Sequence, residues 1–335
     1  MATTPQTNVT LAEFAEALDR FESFALCGHV SPDGDCLGSQ LALAHALRAK
    51  GKRAVCLLAH NDAVDKSFLF LPGASELIPA CEFEGDVDAF IAIDVPNLER
   101  LGDAARVHES AGAHFTLDHH AVESCMAEYN YVDPDAPATG MLAWRLIGEM
   151  GVERTFEMAQ CCYLALMTDT GRFQFQNTTP EAFALAGEMV SAGARPEECS
   201  QEIYQRRSAA SLGLEGAMLS NMQVAPSGEW ALSYARLDDF ERLGAVKADA
   251  EPLIDVLRSL DGIRVACMLR EQEDVVRGSL RAKGDGIDVA ALAREIGGGG
   301  HKAAAGFTYK GSIDDALAEM PALLNGLFAG GEGKE

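Results

Sequence analysis

The chain has 335 residues, 48% of them apolar, and a formal charge of −24 at neutral pH. That length exceeds what one hydrophobic core usually supports and predicts two domains, while the charge excludes a protein that coats long duplex DNA or RNA through many lysine and arginine contacts. No apolar run is long enough to span a bilayer, residues 1–9 lack a basic stretch followed by an apolar one, and the nine cysteines are scattered without a C-x-x-C pair; together these predict a soluble cytoplasmic protein, not bound to membrane, with reduced thiols in its cores.

Thr10-Leu11-Ala12-Glu13 is a capping-box pattern that opens an amphipathic helix reaching to about residue 21. Apolar runs at 23–27, 53–58, 89–93 and 114–117 read as buried strands, separated by helical stretches such as 37–50. This alternation predicts an α/β fold: a parallel sheet with helices on both faces. From 138 to 220 the pattern turns helical, with Thr179-Pro180 and Arg195-Pro196 marking two helix starts. The stretch 221–228, with Pro226, Ser227 and Gly228, is the expected boundary. Beyond it a smaller α/β unit is predicted, with strands at 229–235, 264–270, 275–281 and 305–309 and a helix at 288–296. The expected division is a catalytic domain over 1–205, a helical linker over 206–228 and a second domain over 229–330.

Four clusters of metal-type ligands stand at element ends. His29-Val30-Ser31-Pro32-Asp33-Gly34-Asp35 falls where a predicted strand gives way to a helix, the place where open parallel sheets bind ligands. Gly34 is expected to bend the backbone between the two aspartates so that both carboxylates and the imidazole converge. An EF-hand is excluded because Leu37 and Ala44 occupy positions that need oxygen ligands. Asp94 ends the apolar run 89–93, and a carboxylate there is costly unless paired or metal-bound. Asp118-His119-His120 follows the run 114–117 and offers one imidazole as ligand and one as donor to a phosphate oxygen. Asp169 and Arg172 leave the apolar stretch 162–166 together. Each cluster alone is equally explained as a capped turn; their shared position at element ends argues for one site.

Six candidate ligands, His29, Asp33, Asp35, Asp94, His119 and Asp169, comprise four carboxylates and two imidazoles without a thiolate. That set suits Mn²⁺ best, with Mg²⁺ or Co²⁺ as alternatives, since structural Zn²⁺ favours thiolates and Mg²⁺ seldom takes imidazole. Six side chains exceed what one ion takes while keeping a reactive position open, so two divalent ions are expected, sharing a water and clamping attacking and leaving oxygens at phosphorus. In the second unit, Gly297-Gly298-Gly299-Gly300-His301-Lys302 reads as a loop whose backbone N–H groups cradle phosphate, or as a hinge; nearby Arg281 tilts the reading to an anion site.

Taken together, His29-x-x-x-Asp33-x-Asp35, Asp94, Asp118-His119-His120, Asp169 and the Gly-Gly-Gly-His at 298–301 resemble the motifs of the DHH phosphoesterase superfamily, in the branch whose second domain is called DHHA1. Asp169-Thr170-Gly171-Arg172-Phe173 with Asn177-Thr178-Thr179 is most similar to the bacterial nanoRNase group. The resemblance implies an active-site cleft between the domains. It implies that His29, Asp33 and Asp94 hold one ion, that Asp35, Asp94, His119 and Asp169 hold the other, and that His120 donates to the scissile phosphate. Arg281 with Gly298, Gly299, Gly300 and His301 would bind the substrate's other phosphate; Arg172 would either touch substrate or pair with a structural carboxylate. The implied substrates are very short oligoribonucleotides and 3′-phosphoadenosine 5′-phosphate. Cyclic di-AMP or its linear product is the enzymatic alternative, and a nucleotide-binding sensor the non-enzymatic one. Only the resemblance points to a homodimer.

Overall fold

The computed structural model describes residues 6–61, 63–121, 125–284 and 286–328, and the chain divides after Arg206 into two compact units. The first unit runs α1 (Leu11–Leu18), β1 (Ser23–Cys27), α2 (Gly34–Ala49), β2 (Arg53–Leu58), β3 (Ile78–Pro79), β4 (Ala89–Ile93), α3 (Ala105–Ser110), β5 (Ala113–Asp118) and β6 (Tyr129–Val132). Four helices complete it: α4 (Thr139–Glu149), α5 (Phe156–Asp169), α6 (Pro180–Ser191) and α7 (Pro196–Tyr204). The expected capping box forms: the Glu13 carboxylate accepts from the Thr10 N–H at 2.8 Å and the Thr10 hydroxyl accepts from the Glu13 N–H at 3.2 Å.

The strands form one sheet in the order β3-β2-β1-β4-β5-β6, every pair parallel. Because both faces are covered, β1 and β4 are buried at every residue, and their sequences run apolar without alternation. Phe24 and Leu26 of β1 join a core with Phe14, Leu41, Trp144 and Leu164, while Ala25 and Cys27 point to the other face, towards Leu101 and Val107. Burying each large side chain contributes about 1.5–3 kcal/mol. Strand order reverses between β1 and β4, which opens a crevice at their carboxyl ends.

One expectation about the backbone is corrected. Gly34 is the first residue of α2 and makes no special bend; the left-handed residue in that loop is Ser31, at φ 56°. What requires glycine at 34 is the neighbouring helix, since a Cβ there would stand 2.6 Å from the Thr168 hydroxyl of α5.

The second unit comprises α8 (Ala209–Ser220), β7 (Gln223–Val224), β8 (Trp230–Ala235), α9 (Leu237–Leu243), α10 (Leu253–Arg258), β9 (Val265–Glu271) and β10 (Val276–Ala282). It ends with α11 (Val289–Glu295), β11 (Gly298–His301), β12 (Ala304–Tyr309) and α12 (Ile313–Gly326). Its sheet has the order β11-β12-β10-β9-β8-β7, with only β8 and β9 parallel. Val265, Cys267 and Leu269 of β9 face the core under α11 and α12, whereas Ala266 and Met268 face α8 and α10. Helix α8, within the stretch expected as a linker, buries Leu214 and Met218 in this unit's core.

The glycine run is also corrected: Gly298–His301 is a strand, antiparallel to β12, and not a loop. A Cβ at Gly298 would lie 2.1 Å from the Gly306 carbonyl oxygen, and one at Gly300 2.6 Å from that of Ala304, so these glycines admit the close approach of β12.

Candidate metal centre

Three neighbouring strands deliver side chains to the crevice. His29 lies just beyond β1, Asp94 just beyond β4, and Asp118 closes β5 ahead of His119 and His120. Asp33 and Asp35 come from the start of α2, and Asp169 is the last residue of α5. Asp33 caps α2, its Oδ1 accepting from the Asp35 and Cys36 N–H groups, both at 3.0 Å, which leaves Oδ2 directed outward. Asp94 is held at φ 58°, a left-handed conformation costing a non-glycine residue about 1–3 kcal/mol. Its backbone N–H donates to Leu117 at 2.9 Å and its Oδ1 accepts from the Thr139 hydroxyl at 2.9 Å, contacts that hold the strained residue in place.

The two oxygens of Asp94 face two different histidines. Oδ2 lies 3.5 Å from Nε2 of His29, which is also 3.8 Å from Oδ2 of Asp33. Oδ1 lies 3.5 Å from Nε2 of His119, which is 3.7 Å from Asp35 and 3.4 Å from Asp169. All these separations exceed an ordinary hydrogen bond. Both imidazoles are oriented from behind: Nδ1 of His29 sits 2.9 Å from the Val30 carbonyl and Nδ1 of His119 3.2 Å from that of Ala136. Each Nε2 is thereby presented to its centre.

The electrostatics are those of a cation site. Asp35 is almost fully buried, and burial together with Asp94, Asp169 and Asp33 pushes its carboxyl well above the usual range. Burial likewise pushes Asp169 up to about 7, against the pull of His119. For Asp94, 2% exposed, burial is outweighed by His29, His119 and His120, and its carboxyl is held low. Among the described residues no lysine or arginine forms an ion pair with Asp35, Asp94, Asp118 or Asp169. Four converging carboxylates without a cation are costly. The donors fit two divalent ions: His29, Asp33 and Asp94 could hold one, and Asp35, Asp94, His119 and Asp169 the other.

Asp118 stands behind this set. It is fully buried, and its Oδ1 accepts from Nδ1 of His120 at 2.7 Å and from the His120 N–H at 3.1 Å. Burial alone would keep His120 neutral, but Asp118 outweighs it and raises the imidazole to about 9. Asp118, followed by Asp94 and Asp169, thus favours the charged, donating form of His120.

Arg172 has φ 62° and its guanidinium lies 4.6 Å from the centroid of the Tyr204 ring, a cation–π arrangement. In the second unit, Arg281 of β10 is half-buried, donates to its neighbour Leu280 at 3.1 Å, and is lowered by burial. On the same side of the sheet, Arg270 donates to Ser279 at 2.9 Å and Arg277 to Thr308. Gly298, Gly299 and Gly300 lie in the edge strand β11; the side chain of His301 lies outside the described part.

Sequence reasoning missed Thr139 and Gly140. Helix α4 lacks a side-chain cap of its own; the Thr139 and Gly140 N–H groups instead donate to Asp35 at 2.7 and 2.8 Å. A cap supplied from another helix leaves no local signal. Cys36, one residue beyond Asp35, also stands close to His29 and Asp94, and its place in an apolar helix hides it.

Residues 23–166 match the DHH family N-terminal domain and residues 233–327 the DHHA1 domain. The chain is 32% identical to the bifunctional oligoribonuclease and PAP phosphatase NrnA of Thermus thermophilus, covering 91% of this chain and 90% of that one. It is 27% identical to the protein of the same name from Bacillus subtilis, covering 93% and 97%. Among solved structures, an exopolyphosphatase-related protein from Bacteroides fragilis superposes with a TM-score of 0.88 at 26% identity, over 94% of this chain and 95% of that one.

Proposed function

Since this chain belongs to the DHH–DHHA1 phosphoesterase family, we propose that it hydrolyses very short oligoribonucleotides to nucleoside monophosphates, and 3′-phosphoadenosine 5′-phosphate to AMP. The observation that carries the reading is Asp94, whose two oxygens face two separate histidine centres. Two divalent ions, Mn²⁺ by the donor set, would supply a nucleophile from water at neutral pH and charge stabilisation at both attacking and leaving oxygens. The chain's own residues do the rest. His29, Asp33 and Asp94 would hold one ion, and Asp35, Asp94, His119 and Asp169 the other. Asp118 keeps His120 charged, and His120 donates to the scissile phosphate as negative charge builds there.

In this reading residues 1–205 form the catalytic domain and 229–330 the substrate-binding domain, with α8 and β7 of the intervening 206–228 packed into the latter. Arg281 and the strand Gly298–His301 bind the substrate's other phosphate, and Arg172 contributes beside Asp169. The nine free cysteines, seven of them buried, support a reducing, cytoplasmic setting. Hydrolysis of a diribonucleotide, 3′-phosphoadenosine 5′-phosphate, cyclic di-AMP and pyrophosphate, each with Mn²⁺ and with chelator, tests the proposal. Preferred, Mn²⁺-dependent turnover of the first two supports it. Faster turnover of cyclic di-AMP reassigns the enzyme to signalling, and turnover undiminished by chelator removes the two-ion basis.

A further inference from the structure

We infer that the ion centre at His29 carries a sulfur ligand, the thiol of Cys36, and so accepts softer divalent ions than its oxygen and nitrogen ligands alone would select. The inference rests on the proposed reading that an ion occupies that centre.

The sulfur, a ligating nitrogen of His29 and a carboxylate oxygen of Asp94 all lie within 4.8 Å of one another. All three residues are shielded: Cys36 is 1% exposed, Asp94 2% and His29 7%. Nε2 of His29 makes no hydrogen bond of ordinary length, its nearest carboxylate oxygen, that of Asp94, standing 3.5 Å away. The buried thiols fall into two groups. Cys27, Cys56 and Cys161 each donate to a backbone carbonyl. Cys36, like Cys162 and Cys267, donates to no acceptor among the described residues, and of these three only Cys36 stands beside His29 and Asp94. Its position depends on Gly28, where a Cβ would stand 2.0 Å from the sulfur. Glycine at 28 is thus what gives a thiol room beside the ligand loop.

On coordination the thiol proton passes to solvent as a sulfur lone pair binds the ion. Sulfur raises affinity for Zn²⁺ and Co²⁺ more than for Mn²⁺ or Mg²⁺, which prefer oxygen. Position 36 would then set metal preference at one of the two centres without altering the shared aspartate.

The test is the absorption spectrum of metal-free protein titrated with Co²⁺, for the wild type and for Cys36→Ala. Visible ligand-field bands report that Co²⁺ is bound; a near-ultraviolet sulfur-to-cobalt charge-transfer band reports the thiolate. The expected wild-type spectrum contains both, and Cys36→Ala retains the ligand-field bands but loses the charge-transfer band. Competition titration should show Zn²⁺ affinity falling by about tenfold or more in the variant, with Mn²⁺ affinity changing less than about threefold. Ligand-field bands without a Cys36-dependent charge-transfer band overturn the sulfur ligand and leave the ion centre standing. Absence of any ligand-field band overturns both.

Discussion

Replacing Asp94 with Asn removes one charge while preserving the shape of the side chain and the oxygen that accepts from Thr139. Both centres lose at once, because Oδ2 faces His29 and Oδ1 faces His119. One pair of unit charges about 4 Å apart at an effective dielectric near 20 is worth about 4 kcal/mol, or roughly three decades in an equilibrium constant. Mn²⁺ affinity should therefore fall by about a thousandfold for the more tightly held ion, and turnover at fixed Mn²⁺ should fall at least as far. Calorimetric titration of metal-free protein gives the affinity, hydrolysis of a diribonucleotide gives the turnover, and circular dichroism confirms the fold. Affinity and turnover both within about threefold of wild type would refute the shared-aspartate arrangement, since that change corresponds to less than 1 kcal/mol.

His120 is raised to about 9 by Asp118, so activity should decline as pH rises through about 9 and the imidazole loses its proton. Asp118→Asn should move that alkaline limb downward by about one pH unit or more; an unmoved limb in the pH–rate profile would detach Asp118 from His120. Burial pushes the Asp169 carboxyl up to about 7, and an ion needs its carboxylate ionised, so Mn²⁺ affinity should drop by about tenfold per pH unit below 7. Equal affinities at pH 6 and 8 would contradict this. Gly34→Ala should destabilise by about 1–3 kcal/mol through its clash with Thr168, and adding Thr168→Ala should recover most of the loss in a urea melt. Gly298→Ala should disrupt the β11–β12 pairing, where a backbone oxygen blocks the methyl, whereas Gly299→Ala should leave thermal stability unchanged because open space surrounds it.

The strands at 23–27, 53–58 and 89–93 were legible in the sequence to the residue, because a doubly covered parallel sheet demands unbroken apolar runs, and Gly28 and Asp94 end the first and the last abruptly. The same contrast exposed Asp94 and Asp118: a charge terminating a buried strand has few inexpensive explanations. Hidden features were those whose cause lies far along the chain. Gly34 reads as a turn residue, yet its constraint is Thr168, and the glycines at 298 and 300 read as a loop, yet they serve a neighbouring strand. Short edge strands such as Ile78–Pro79 and Gln223–Val224 carry too few residues for a period to register. Helix Ile313–Gly326 went unread despite its Ser312–Asp315 capping box, because Pro321 interrupts the pattern. Thr139 was invisible because its partners, Asp35 and Asp94, belong to other elements.

The central claim is that Asp94 is shared by two ions. Anomalous diffraction at the manganese edge, from crystals grown with Mn²⁺, tests it most directly. Two peaks should appear on either side of the Asp94 carboxylate, one contacting His29 and Asp33, the other contacting Asp35, His119 and Asp169. A single peak, or two peaks that do not share Asp94, would contradict the claim.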